Sequence, residues 1–410
     1  MSSPELTKAH DSRAVSAGLI VGIVLVSANL RATLTGVGVL LPAIEHGTGL
    51  TSGAAGLLST LPLLTFAATS PLVGRMSHRL GDSRLLVLAL AVLAAGTMLR
   101  SLPSLACLFA GTVVLSAAIA CGNVLLPAVV RRSVPTHRIG TVSALYVTIM
   151  GLVAATSSGI SVPLADVLPG GWRASLAWGV VLAVPALLIW IPRLRSSASR
   201  PAPTAPRSKM PWRSKLAWQV TFYMGLQSLC FYAVIAWLPS ILAHEGTSAS
   251  NAGWMLFLYQ VIALLASSVV PLLSRGYDDQ RWLAATASLL VAAGFVVLLT
   301  APQLAILSCA LLGLGGGACL VLAMTFQSRR AASPAQAAAL AGMAQSIGYL
   351  VAAAGPLLLG VLYDHTGSWS TPLLVLTALS IAMAAAGLGV GRNVQLVDDS
   401  SPQPGSTPSG

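Results

Sequence analysis

The residue best suited to chemistry is Arg31, which lies midway along a long apolar stretch. If that stretch crosses a bilayer, a cation at its centre costs about 2.5–3.5 kcal/mol on insertion scales and needs water, an anion or acceptor groups. The eleven acidic residues all fall in termini, in loops or near the ends of apolar stretches, so none can neutralise it. A guanidinium stays charged and holds two oxygens at once. The sequence favours a bound anion, with a tie to backbone carbonyls as the open alternative.

Neutral polar residues lie at similar depth in other apolar stretches. Amides offer donors and acceptors without charge, and tyrosine adds a hydroxyl and a flat face. Each residue alone fits packing as well as binding, but as a set they fit a central cavity better. Asn29 lies about 200° around a helix from Arg31, which favours a bond to a neighbouring helix. With Arg31, the candidate binding residues are Asn29, Thr35, Asn123, Tyr146, Tyr223, Gln227, Tyr259, Gln260, Gln345 and Tyr349.

Membrane helices must position these residues. The chain has 410 residues, 55% hydrophobic and 8% charged, whereas a soluble domain carries about 25% charged residues. The apolar stretches match a hydrocarbon core of about 30 Å, and they lack the alternation of barrel strands. We predict an all-α integral membrane protein with spans at 15–43, 52–74, 84–102, 104–130, 139–165, 173–193, 216–242, 252–274, 282–300, 303–326, 336–363 and 369–391.

Basic residues mark one end of the predicted bundle. Of the 23 lysines and arginines, 20 fall in the termini, the central linker and alternate loops, while Arg100 and Arg173 fall on the other side. This asymmetry is the positive-inside pattern, and it predicts a multi-pass inner-membrane protein with both termini in the cytoplasm. Because the basic residues are scattered over loops without interleaved aromatics, nucleic-acid binding is not predicted.

The two halves of the chain repeat each other. PLVGR at 71–75 returns as PLLSR at 271–275, and Asp166 corresponds to Asp364. Six-helix repeats in one orientation are typical of major facilitator transporters, whose site lies between the halves. We expect two pseudo-symmetric six-helix halves, with the chain divided into an arm (1–14), a first half (15–193), a cytoplasmic linker (194–215), a second half (216–391) and a disordered tail (392–410).

A short motif supports this family. The segment 74–81, GRMSHRLG, resembles the superfamily loop motif G-x-x-x-D-R-x-G between the second and third helices. His78 replaces the family aspartate, which removes a carboxylate from the charged latch of the motif and favours a solvated loop role for this histidine. The candidate gating residues are Gly74, Arg75, His78, Arg79, Gly81 and, from the repeat, Arg275.

A closer resemblance extends over most of the chain. The segments ANLRATLTGVGVLLP (28–42), GNVLLPAVVRR (122–132), GLQSLCFYAVIAWLPSIL (225–242) and AQSIGYLVAAAGPLLLGVLYD (344–364) resemble the cyanate and 2-nitroimidazole permease branch of the superfamily. This resemblance implies a secondary transporter of a small anionic or planar polar solute, which works by alternating access.

Two alternatives stay open. Proton-coupled efflux of a drug-like or nitroaromatic solute needs a titrating group in the pathway, and no carboxylate lies at midplane. A non-transporting receptor or scaffold would not need the midplane Arg and amide set. No catalytic constellation, GK[ST] loop or cysteine pair is present, so we predict no enzyme, cofactor or metal. The expected partners are a small, anionic substrate and the lipid bilayer, with the protein as a monomer.

Overall fold

The computed structural model describes residues 17–192, 210–274 and 276–396. These residues include twelve helices long and apolar enough to cross a membrane, and no strand is found among them. The helices are α1 (Gly18–Thr48), α2 (Ser52–Leu80), α3 (Asp82–Arg100), α4 (Leu105–Ser133), α5 (Thr136–Val167), α6 (Trp172–Trp190), α7 (Lys215–His244), α8 (Ala249–Leu273), α9 (Arg281–Thr300), α10 (Pro302–Arg329), α11 (Ala335–Thr366) and α12 (Ser370–Val390). The prediction of an all-helical, twelve-span fold is confirmed.

Local sequence sets several helix ends. The Thr51 and Ser248 hydroxyls accept hydrogen bonds from backbone N–H groups two to three residues into α2 and α8, as N-capping residues do. Gly81 separates α2 from α3 with a φ of 80°, a left-handed conformation that favours glycine. In α6, the regular helix is interrupted at Trp178 and Gly179.

The helices pack in the same order in both halves. The first helix packs on the fifth and the third on the fourth in the N-terminal half, as α7 packs on α11 and α9 on α10 in the C-terminal half. Two apolar cores are centred on the two halves, but they are shared: the C-terminal core includes parts of α1, α2, α4, α5 and α6, and the N-terminal core includes Ala352 and Ala353 of α11. The sequence repeat therefore corresponds to a repeat in packing.

The halves contact each other mainly through α2 with α11, α5 with α8 and α1 with α7, and more weakly through α1 with α8. We call the end of the bundle that carries the 2–3, 4–5, 8–9 and 10–11 loops the basic end. The α2–α11 contacts lie at the opposite end, where Thr60 donates to the Ala353 carbonyl (2.8 Å). The opposite end is therefore closed between the halves.

Three expectations need correction. The second span continues to Leu80, so the motif from Gly74 is largely helical and only Gly81 makes the turn. Arg100, which the charge count placed on the far side of the membrane, is the last residue of α3 and is buried. The chain also packs beyond residue 392, where the tail was expected to begin, since Leu396 is buried and its N–H donates to the Arg330 carbonyl. The remaining predicted tail, the arm and most of the linker lie outside the described residues.

Arg330 follows α10 and is the clearest structural arginine of the basic end. Its guanidinium donates to the Val390 and Gly391 carbonyls (both 3.0 Å), which ties α10 to the end of α12. Burial is the main cause that lowers the pKa of Arg330 below its usual value. This residue shows how an arginine in this fold can serve packing alone.

Candidate substrate-binding site

Arg31 lies halfway along α1, between two cavities. The larger has a volume of about 150 Å³ and the smaller about 50 Å³, and both are lined by Arg31 and Thr35. Arg31 is half-buried. The residue singled out from sequence therefore lies where two internal spaces meet at the centre of the molecule.

The immediate neighbours of Arg31 come from the other half. Its guanidinium interacts with the Tyr232 side chain of α7, and Tyr349 of α11 also acts on it electrostatically. Within the described part of the chain, Arg31 forms no salt bridge and donates no hydrogen bond to a backbone carbonyl. Arg31 is thus a charged contact between the halves near midplane, and it pairs with no carboxylate of the residues that the structure describes.

The larger cavity lies between α1, α5, α7, α8 and α10. Thr35 donates to the Ala154 carbonyl (2.8 Å), and Gln260 donates through Nε2 to Ser158 Oγ (2.8 Å), so α1, α5 and α8 are held together by polar contacts. Most of the remaining wall is apolar, with Phe231 and the backbone of Gly316 and Gly317. A guanidinium, a hydroxyl and an amide in an apolar wall are typical of a site for a small polar ligand.

The smaller cavity continues from Arg31 towards the closed end. It is lined by α1, α2, α4 and α7, with Ser59, Thr112 and Tyr232 as polar members. Arg100 at the end of α3 lines it as well, so two arginines share one cavity.

A third space lies inside the C-terminal half, and two of the predicted binding residues line it. Gln227 and Tyr259, both buried, line it together with Cys230 and Cys319. Its volume is about 10 Å³, the space of about one water molecule. Gln227 and Tyr259 are therefore not brought to the two cavities beside Arg31.

The other candidates lie apart from Arg31. Asn29 donates to the Leu182 carbonyl of α6 (2.9 Å), the interhelical bond that its angle on the helix favoured. Tyr223 is buried edge-to-face against Phe326. Gln345 donates weakly to Gln327 (3.5 Å). None of these residues lines the cavities described above, and the same is true of the exposed Asn123 and the half-buried Tyr146.

The predicted gating residues lie at the basic end. Gly74, Arg75, His78 and Arg79 are exposed on the last turns of α2, while Arg275 lies outside the described residues. The carboxylate missing at position 78 has a counterpart at Asp82, a buried residue that forms a salt bridge with Arg132 of α4 and accepts from Ser77. A charged contact is therefore present next to the motif, at a residue four positions after His78.

Sequence reasoning missed several residues near Arg31. Tyr232 and Ser158 were not among the candidate binding residues. Arg100 lay inside the third predicted span, but nothing in the sequence indicated that it lines a cavity together with Arg31.

Twelve spans in two six-helix halves that pack in the same order are the architecture of a membrane transporter. Residues 20–353 match the family model for the Major Facilitator Superfamily. The chain belongs to this superfamily.

Sequence comparison with individual relatives assigns the chain to a branch of this superfamily. It is 42% identical to an uncharacterized transporter, YycB, of Bacillus subtilis, over 94% of this chain and 96% of the relative. It is 43% identical to a 2-nitroimidazole transporter of Escherichia coli, over 92% and 96%. Identity with the cyanate transport protein CynX of Escherichia coli is 28%, over 86% and 91%. These relatives confirm the cyanate and 2-nitroimidazole permease branch.

A solved structure supports the fold alone. The crystal structure of a D-xylose–proton symporter matches with a TM-score of 0.74 at 13% identity, over 93% of this chain and all of that one (100%).

Proposed function

We propose that this protein is a secondary transporter of a small anionic or planar polar solute, with Arg31 as the anion-binding residue at midplane. The observation that carries the proposal is the position of Arg31, which lines both central cavities without a carboxylate partner among the described residues. A bound anion would supply the missing counter-charge.

The comparison of three buried or half-buried arginines supports binding over packing. Arg100 and Arg330 each donate to two or more backbone carbonyls, as residues that fix helix positions do. Arg31 instead interacts with Tyr232 and Tyr349 across the interface between the halves. Because no backbone carbonyl of the described residues takes its donors, the Arg31 guanidinium is available to a ligand in the cavities that it lines.

The relatives are consistent with this chemistry. One is a 2-nitroimidazole transporter and another a cyanate transport protein. Both solutes are small, and each presents electron-rich N or O atoms to a guanidinium, which donates in a planar fork. The walls of the larger cavity, apolar with a few polar groups, suit a flat solute of this kind.

Transport would proceed by alternating access. The basic end faces the cytoplasm by the positive-inside rule, and the halves are closed at the other end. In the opposite state, α2 and α11 would separate and the gating segment 74–81 would close the basic end. The inner membrane, cytoplasmic termini, the domain bounds at 15–193 and 216–391, and a monomeric state are parts of the same proposal.

Uptake into proteoliposomes tests the role of Arg31. With labelled cyanate and 2-nitroimidazole as probes, Arg31→Gln should lower transport by roughly tenfold or more, because hydrogen bonds to a charged group contribute about 1.5–3 kcal/mol. Arg31→Lys should retain part of the activity, since the charge stays but the fork is lost. Arg213→Gln, at an exposed arginine before α7, is the matched control.

Folded protein must be confirmed for each variant by gel filtration and thermal unfolding. Normal transport by Arg31→Gln would contradict the proposal. Binding of both probes by the native protein without any flux would instead favour the receptor alternative.

A further inference from the structure

The smaller cavity contains a feature that the proposed anion site at Arg31 does not use. Arg100 lines this cavity, is 2% exposed and forms no salt bridge among the described residues. Two of its nitrogens are bonded, Nη1 to the Thr33 carbonyl (2.7 Å) and Nη2 to the Leu176 carbonyl (3.0 Å). Its Nε is buried and has no hydrogen-bond partner. One donor of a buried cation is therefore left unused.

The cavity itself has the composition of an anion site. Two arginines line it, Arg31 and Arg100, and none of its lining residues is acidic. The Thr35 and Thr112 hydroxyls already donate to the Ala154 and Leu108 carbonyls (2.8 and 2.7 Å), so Ser59 supplies the hydroxyl that can donate to a ligand. Two cations facing one apolar space repel each other unless an anion lies between them, because the interior screens charges weakly.

The size of the cavity limits the ligand. Its volume of about 50 Å³ is one third of that of the larger cavity. Since about 10–15 Å³ of such space holds one water molecule, this cavity accepts a group of a few heavy atoms but not a substituted ring.

We propose that Arg31 and Arg100 enclose a second subsite for a small monovalent anion, of the size of cyanate, at the closed end of the pathway. The inference rests on the proposed function, because the anion reaches this subsite past Arg31. A larger planar solute occupies only the cavity on the other side of Arg31. Arg100 thus determines specificity for small anions.

Binding measurements with two probes test the subsite. We would measure the dissociation constants of sodium cyanate and 2-nitroimidazole by isothermal titration on purified protein. Arg100→Gln should weaken cyanate binding roughly tenfold and change 2-nitroimidazole binding less than about twofold. Arg173→Gln, which removes an arginine stacked on Trp172 at the same end of the bundle, should change neither.

A second variant separates binding from folding. Thr112 is buried and lines the smaller cavity but not the larger one. Thr112→Leu fills this space without a change in charge, so it should weaken cyanate binding and leave 2-nitroimidazole binding intact. If Arg100→Gln fails to fold or weakens both probes equally, the Thr112 variant decides the question.

The outcomes distinguish the two proposals. Retention of cyanate affinity by the folded Arg100→Gln protein or by Thr112→Leu would overturn the subsite, as would native protein that binds 2-nitroimidazole but not cyanate. If the subsite is overturned but Arg31→Gln no longer binds either probe, the proposed function still stands. Retention of both probes in Arg31→Gln would overturn the proposed function itself.

Discussion

At the closed end of the bundle, α2 and α11 approach each other so closely that their backbones are in contact. A β-carbon at Gly56 would collide with the Pro356 carbonyl, and one at Gly360 with the Ser52 carbonyl. At the basic end of the same helix α2, Gly74 has no neighbouring atom within 4 Å of the position of a β-carbon. The same residue type thus serves close packing at one end and is unpacked at the other.

Polar contacts between the halves differ in the same way. At the closed end, the Asp364 carboxylate of α11 accepts from the backbone N–H groups of Ser52 (3.0 Å) and Gly53 (2.7 Å), the first residues of α2. At the basic end, Asp82 pairs with Arg132 within one half. The closed end is therefore joined across the halves, whereas the basic end is stabilised within each half.

This difference indicates which contacts must break during transport. Contacts within a half can persist in every state, but contacts between halves at one end must be lost when that end opens. Variants at the closed end should therefore shift the balance between states, and variants at the basic end should change mainly local stability.

The largest effect is expected from a pair of glycines on α2. Gly56→Ala should lower the free energy of unfolding of the closed-end state by about 1–3 kcal/mol, because the added methyl meets a backbone carbonyl that cannot move aside. Gly74→Ala is the matched control on the same helix and should leave thermal stability unchanged in this state. Thermal unfolding in detergent measures both.

Equal destabilisation by Gly56→Ala and Gly74→Ala would contradict the difference in packing between the two ends of α2. A Gly74→Ala protein of normal stability but reduced transport would sharpen it, since the opposite state would then need the close approach at Gly74 that the superfamily motif provides.

How far the sequence predicted these features depends on the range of the interactions. Twelve spans follow from runs of apolar residues, which are local, and the position of Arg31 follows from the same runs. The partners of Arg31 could not be predicted this way. Tyr232 and Tyr349 are some 200 and 318 residues away in sequence, and only the packing of α7 and α11 brings them together.

Which arginine is buried could not be predicted from the sequence either. Arg100 and Arg173 have similar positions near helix ends, yet the first is 2% exposed and the second is stacked on the ring of Trp172. Arg100 turns inward because it donates to the Thr33 and Leu176 carbonyls of α1 and α6, and no pattern near Arg100 in the sequence indicates these partners.

A smaller effect is expected at Asp364. Asp364→Asn removes the charge from the carboxylate that caps α2 across the halves, and loss of an N-terminal cap costs about 0.5–2 kcal/mol. We expect the lower part of that range because Asp364 is exposed, which corresponds to a shift of roughly two- to fivefold towards opening of the closed end. Spin labels at the exposed His46 and His365, which lie near the closed end in opposite halves, would report the opening as a longer distance between the labels.

Asp166→Asn is the control, since it removes the corresponding carboxylate of the first half at the end of α5. An unchanged distance distribution in Asp364→Asn would show that this carboxylate does not hold the halves together.

The smallest effects belong to the basic end. Asp82→Asn should destabilise the protein by about 0.5 kcal/mol, because its partner Arg132 is partly exposed and such pairs contribute about 0–1 kcal/mol. Asp279, fully exposed, pairs with Arg281 (2.7 Å), and this hydrogen bond is the main cause that lowers the pKa of Asp279. A carboxyl whose pKa is lowered on folding stabilises the folded state at pH values above its pKa in the unfolded chain. This stabilisation is lost as the pH falls through the pKa of the folded state.

Because water and salt screen the Asp279 pair, Asp279→Asn should have the same melting temperature as the native protein at both acidic and neutral pH. Asp82→Asn should have a slightly lower melting temperature than the native protein. Neither variant should change the label distance at the closed end. A longer label distance in Asp82→Asn would mean that the two ends are coupled within each half. Contacts at the basic end would then affect the closed end and not local stability alone.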